Sequence, residues 1–175
     1  MALQSSGAIS IDDIVAEFGG SAPDGLTEYY RGGTYVPDIT ANAGVPTSGA
    51  ISLEDFYGAT NEDKTPNAMN FNNLGPGDTT GNTVTVTGIN VAITVRFTES
   101  ITNGTVTVYK NGSSQGAVSG TLDVSVSNSD TLRVDYTDTS QSGTGTFAGS
   151  VTVNNQSDGS ALLDTISVQT YGGGL

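Results

Sequence analysis

Eighteen carboxylates and no histidine or cysteine define the chemistry open to this chain. Without His and Cys it lacks the commonest general base, the thiol nucleophile and the usual zinc and iron ligands. What remains is carboxylate chemistry, such as two Asp or Glu side chains converging on a sugar, one of them with a raised pKa. Most of the acids, however, stand at helix-start positions or in polar turns, where capping and turn formation account for them. Calcium is the other use of such groups. Asp135 with Asp138, or Asp158 with Asn154 and Asn155, place oxygens close together in sequence, but the D-x-D-x-D-G ligand spacing is absent. The paired glycines Gly19-Gly20 and Gly32-Gly33 lack the flanking strand and the Lys or acid of a phosphate or dinucleotide loop, and read as helix stops. No catalytic residue, metal or cofactor is expected, and the chain is read as a non-enzyme.

The elements that position these acids begin with a near-duplication. SGAISIDDI, Ser6 to Ile14, returns as SGAISLEDF, Ser48 to Phe56. Each copy has an apolar residue (Ile9, Ile51), a serine (Ser10, Ser52) and an acid three positions on (Asp13, Asp55), the spacing of a capping box. Each predicts a short helix. In the first copy Ile11, Ile14, Val15 and Phe18 share one helical face, which Gly19-Gly20 ends. A weaker echo, Leu26-Thr27-Glu28-Tyr29-Tyr30, repeats the order apolar, any, acid, aromatic, aromatic found in Leu53 to Tyr57. Such short helices are not stable alone in water. Roughly sixty residues also lie near the lower limit for an independent core. They must pack on each other or on a partner.

Composition separates this region from the rest. Up to Thr65 there are ten acidic and two basic residues; from Pro66 there are eight and three, for a net charge of −13. That balance argues against binding nucleic acid through phosphates and against anionic membranes. The amino end has neither a basic stretch nor an apolar run of signal-peptide length, and no segment has the apolar length of a membrane span. Assembly in a cytoplasm is expected. The predicted organisation is a repeat-containing module over 1–60, a linker over 61–66 and a second domain over 67–175.

The second domain reads as strands. Val84 and Val86 alternate with threonines, and Ile89, Val91, Ile93, Val95 and Phe97 keep a period of two, as one strand or as two broken at Gly88. Val106 and Val108 lead to a turn at Asn111-Gly112. Leu122, Val124 and Val126, a polar turn, then Leu132, Val134 and Tyr136 read as a hairpin. Phe147, Val151 and Val153 share a face if Gly149 is accommodated, a last strand carries Leu162, then shifts through Leu163 to Ile166 and Val168, and Tyr171 to Leu175 reads as a flexible end. The fold class predicted is mainly β, with an antiparallel immunoglobulin-like or jelly-roll sandwich after the helical module.

Two aromatic groups invite a binding role. Tyr109 points opposite to Val106 and Val108, so it is a candidate glycan contact or a cross-strand packing partner. Tyr29, Tyr30, Tyr35, Phe56 and Tyr57, with Arg31 beside them, are either the small core of the module or anchors shared with a partner.

The strings SGAISIDDIVAEFGG, LTEYYRGGTYVP and VPTSGAISLEDFYGA resemble a module found near the start of tail, fibre and other virion proteins of tailed bacteriophages. TVTVTGINVAITV, VTVYKNGS and VSVSNSDTLRVDY are similar to small immunoglobulin-like domains of phage structural proteins, with Lys110 before Asn-Gly and Ser129 in place of a glycine. The resemblance implies a virion structural protein without enzymatic activity, located in the virion and assembled in the host cytoplasm. The resulting expectation is an adaptor. Ile9, Phe18, Tyr29, Tyr30, Arg31, Tyr35, Phe56 and Tyr57, with the loop Gly32 to Thr47, would contact another virion protein in a symmetric or homo-oligomeric assembly. The alternative is a short tail fibre whose sandwich binds a host surface glycan.

Overall fold

A computed structural model describes residues 2–75, 78–102, 104–138 and 149–169. Phe147 and the segment Tyr171 to Leu175 lie outside these residues. The chain forms two compact units, Met1–Asp63 and Lys64–Leu175. The first carries one α-helix and short 3-10 turns and the second is a β-sandwich, so the protein is mainly β as its pattern predicts.

In the N-terminal unit, helix α1 spans Ile11–Phe18. It starts where predicted because Ser10 closes a capping box: the Asp13 amide donates to Ser10 Oγ at 3.2 Å, and the Ser10 amide donates to Asp13 Oδ2 at 2.8 Å. It stops at Gly19, whose N–H still donates to the Val15 carbonyl at 2.8 Å while its φ of 81° turns the following chain out of the helix. The second copy builds the same start, with the Ser52 amide donating to Asp55 Oδ2 at 2.7 Å, but continues only as a single 3-10 turn, Leu53–Phe56. Tyr57 leaves the helical path at ψ 123°, so the turn cannot propagate. The echo forms a 3-10 turn at Leu26–Glu28.

The three echoes meet in one core. Ile14, Tyr29 and Phe56 occupy the same place in the three patterns, and all three are fully buried. Phe18, Val36, Val45 and Ala59 complete the cluster, with Ile9, Ile11, Leu26, Ile51 and Leu53 half-buried around it.

Among the described residues the sandwich has eight strands: β1 Thr80–Thr85, β2 Ile93–Ser100, β3 Gly104–Lys110, β4 Ser113–Val118, β5 Thr121–Val126, β6 Thr131–Asp138, β7 Gly149–Asn155 and β8 Ala161–Val168. They form two antiparallel sheets in the orders β1-β6-β3-β4 and β5-β2-β7-β8. Alternation sets the faces: Val95, Phe97, Val106, Val108, Val124, Val134, Val151 and Val153 point inward, and their neighbours outward. The long period-two run breaks after Val86, and Gly88 takes φ 89° before β2 begins at Ile93. Asn111-Gly112 makes the β3–β4 turn with φ of 51° and 78°, the left-handed pair that an Asn-Gly hairpin requires.

One expectation is corrected. β5 and β6 do not form a hairpin: β5 pairs with β2 in one sheet, and β6 with β1 and β3 in the other. The turn between them crosses from sheet to sheet, held by the Ser127 amide on Asp130 Oδ2 at 2.8 Å and the Ser129 amide on the Val86 carbonyl at 2.8 Å. The alternation specified the inward face of each strand but not its neighbour.

The margins of the sandwich are closed by two devices. Between β1 and β8 runs a strap, residues 67–75, which carries Met69, Phe71 and Leu74 into the core. Its Leu74 amide donates to the Ser167 carbonyl at 2.9 Å, the Phe71 amide to Asp164 Oδ2 at 2.6 Å, and Asn82 Nδ2 of β1 to the Asn70 carbonyl at 2.9 Å. Phe71 meets Phe97 edge-on with ring centroids 6.3 Å apart. The strap thereby lies along one edge of each sheet, β1 and β8, where it competes with unwanted pairing. On the opposite margin Lys110 Nζ donates to the Ser125 carbonyl of β5 at 2.8 Å and pairs with Asp130 at 3.0 Å.

Candidate interaction site

The residues expected to face a partner are largely consumed by the N-terminal unit itself. Tyr29 and Phe56 have no exposed surface and Phe18 has 6%, so these three are removed from any contact surface in this structure. Phe18 packs edge-on against Phe56 at 6.4 Å, and Tyr35 stacks on Tyr29 at 5.2 Å. Ile9, Tyr30, Arg31, Tyr35 and Tyr57 are half-buried.

The tyrosines share a geometric role that their spacing did not reveal. Tyr57 donates its hydroxyl to the Gly7 carbonyl at 2.5 Å, and Tyr30 donates to the Gly49 carbonyl at 2.5 Å. Gly7 and Gly49 are the same position in the two SGAIS copies, and Tyr30 and Tyr57 the same position in the echo. The hydroxyl of Tyr29 lies 2.9 Å from the Gly19 carbonyl and 3.1 Å from Asp24 Oδ1. All three seams between repeat elements are thus closed by a tyrosine hydroxyl on a glycine carbonyl. Gly20 allows the Tyr29 contact, since a Cβ there would collide with the Tyr29 hydroxyl. Burial, with the Asp24 carboxylate beside it, pushes the Tyr29 phenol up to about 12.

Arg31 and the loop after it are equally occupied. Arg31 Nε donates to the Val45 carbonyl at 3.3 Å, its guanidinium pairs with Asp38 at 2.9 Å, and its amide donates to the Pro46 carbonyl at 3.0 Å. Val36, Asn42 and Val45 of this loop are buried, so Gly32 to Thr47 is a structural wrap and not a projecting arm. Asn42 donates to the Pro37 and Thr60 carbonyls at 3.0 Å each and accepts from the Thr60 amide at 2.8 Å, satisfying a buried amide completely.

On the sandwich, Tyr109 faces outward and half-exposed on the β1-β6-β3-β4 sheet. Its cross-strand neighbour Arg133 lies over the ring, 4.4 Å from the centroid, and makes a two-point pair with Asp135 at 2.8 and 2.9 Å. Among the calcium candidates, three side chains have protein partners. Asp135 is paired to Arg133, Asn154 Nδ2 donates to the Ser160 carbonyl at 3.1 Å, and Asn155 Nδ2 to the Lys64 carbonyl at 2.7 Å; the Asp138 side chain lies outside the description. Among the described residues no group of three acids is placed to hold a metal ion. Nor is any described helix long and apolar enough to cross a membrane.

No family model and no curated protein matches the chain. Among solved structures, one described as the structure of the N-terminal domain of PorA matches at 20% identity, covering 63% of this chain and 92% of that one, with a TM-score of 0.35.

Proposed function

We propose that this protein is a non-enzymatic structural component of a tailed-bacteriophage particle, in which the N-terminal unit docks on another virion protein and the sandwich is the displayed domain. The observation that supports this reading is the duplicated, capped SGAIS element, which recurs in sequence like a virion module and forms one closed unit with its own core. Its direct contacts then fall to the half-buried Ile9, Tyr30, Arg31, Tyr35 and Tyr57 at its surface. Assembly as a homo-oligomer or other symmetric array accompanies this role. The test is deletion of residues 1–60. Loss of incorporation into particles is expected, and normal copy number for the remaining domain would overturn the docking role.

A second reading is recognition of a host surface glycan by the sandwich. It is favoured by one observation, the outward Tyr109 beside the hydrogen-bonding pair Arg133 and Asp135. Glycan-dependent binding of the protein that is lost in Tyr109→Ala is expected on this reading; no binding across a broad glycan array would remove it.

A further inference from the structure

The β3–β4 turn combines a reactive dipeptide with a dense set of contacts. In Asn111-Gly112 the nitrogen after the asparagine belongs to a residue without a side chain, so nothing shields it from the carboxamide carbon. Both residues are exposed, so burial does not protect them from water. What restrains Asn111 is hydrogen bonding. Its Nδ2 donates to Asp130 Oδ1 at 2.6 Å, and its Oδ1 accepts from the Thr131 amide at 2.8 Å and the Thr131 hydroxyl at 3.3 Å. The Asn111 amide donates to the Thr131 carbonyl at 2.9 Å. Asp130 is fixed in turn by the Ser127 amide at 2.8 Å and by Lys110 Nζ at 3.0 Å. The carboxamide thus ties the β3–β4 turn to the crossing between β5 and β6, and both of its ends are in use.

We propose that Asn111 is a latent deamidation site, silenced by the folded sandwich and irreversible once this corner has opened. The Gly112 nitrogen bonds to Asn111 Cγ and closes a cyclic imide; the bond from Cγ to Nδ2 breaks, and Nδ2 leaves as ammonia with the proton that Gly112 gives up. Water then opens the ring at either carbonyl, giving aspartate or isoaspartate, and is the only co-reactant. Ring closure requires Cγ to swing out of plane toward Gly112. The carboxamide cannot do so while Asp130 and Thr131 hold its two ends. The products then oppose closing. Aspartate sets a second carboxylate against Asp130 where a donor stood at 2.6 Å, with the one Lys110 ammonium between them. Isoaspartate adds a main-chain methylene to a two-residue loop built on φ of 51° and 78°. The site therefore records past opening of the sandwich. The inference is independent of what either unit binds.

Mass spectrometry of the full chain tests it, after incubation at mildly alkaline pH, folded in buffer and unfolded in urea, with each converted asparagine located by fragmentation. In urea Asn111 should convert at a rate close to that of Asn103, which also precedes a glycine. In the folded protein Asn111 should convert at least about tenfold more slowly, because the reaction waits on local opening. Asp130→Ala, which frees Nδ2, should speed conversion in the folded state by about fivefold, as for one lost hydrogen bond. Asn111→Asp, which installs one product directly, should lower the unfolding midpoint of the sandwich, and added salt should reduce that loss. Equal rates for Asn111 in the folded and unfolded chains would overturn the proposal, as would conversion in neither. An unchanged rate in a folded Asp130→Ala protein, or an unchanged midpoint in Asn111→Asp, would overturn it as well.

Discussion

The two units reach a closed core by opposite routes. The sandwich uses many equivalent contacts: inward valines and isoleucines on eight strands, each strand fixed by a ladder of backbone bonds that any residue type supplies. The N-terminal unit has one eight-residue helix and three 3-10 turns, so little of its backbone is paired within regular structure. It relies on individual side chains that each reach one distant carbonyl, Tyr57 to Gly7 across 50 positions and Tyr30 to Gly49 across 19. A ladder is redundant and a latch is not. Single-atom changes should therefore be felt in the first unit and absorbed in the second.

The largest contrast is expected from core truncation. Phe56→Ala and Phe97→Ala each remove a fully buried ring, at a cost of about 3–5 kcal/mol. In a unit this small that loss is of the order of the whole stability, so Phe56→Ala should unfold the N-terminal unit while the sandwich stays folded. Residue-resolved NMR would show it; a folded N-terminal unit in Phe56→Ala would break the comparison. Next comes Asn42→Ala, which strands the buried N–H and carbonyl of Thr60 at about 1–3 kcal/mol for each group left unpaired, measured as a shift in the unfolding midpoint of that unit alone.

Removing a single hydroxyl sharpens the point. Tyr57→Phe and Tyr30→Phe should each lower the stability of the N-terminal unit by about 0.5–1.5 kcal/mol without altering its core. Tyr109→Phe, on the sandwich, should leave denaturant unfolding unchanged. Alkali adds a test of the N-terminal unit. The Tyr29 phenol is pushed from 10.0 up to about 12, so the stability it contributes is complete below pH 10 and is lost as pH rises through 12. Phenolate absorbance should show Tyr29 titrating late, together with loss of N-terminal structure. Acid does not discriminate. The Asp130 carboxyl in the sandwich is held below its usual value by Asn111, against partial burial, and with help from Ser127 and Lys110; Asp13 in the first unit is lowered by Ser10. Both contributions are present above the ordinary carboxylate range and fade as pH falls through the lowered values. The smallest effect belongs to the exposed Arg96–Asp123 pair on the outer face of β2 and β5, whose loss in Asp123→Asn should be hidden by moderate salt.

Much of this architecture was legible before any coordinates. Ser10 with Asp13, and Ser52 with Asp55, announced two helix starts because a capping box closes within four residues. Alternation announced the inward faces of β1, β2, β3, β5, β6 and β7, and Asn111-Gly112 its turn, because side-chain parity and left-handed backbone are local properties; it gave no signal for β4, and Leu162 of β8, expected among the apolar positions, is 63% exposed. The candidate contact residues were found as a cluster but not as a mechanism: nothing in Tyr29-Tyr30 says that one ring is core and the other a latch. The strap at Met69 to Leu74 left no periodic signal, since it pairs only at a few points, lends the Asn73 side chain to the Ser167 amide and borrows those of Asn82 and Asp164.

The amino-acid order was thus sufficient for what forms within a turn of helix or along one strand: the duplicated caps, the stops at glycine, the two-part composition and the β character of the second unit. The fold alone decided which sheet β5 and β6 join, that Phe18, Tyr29 and Phe56 face each other and not the surface, and that three tyrosine hydroxyls find three glycine carbonyls. The physical reason is range. Caps, turns and parity are governed by neighbours a few bonds away, whereas strand partners and hydroxyl acceptors are selected by the burial of the whole unit and become identifiable only once the core has closed.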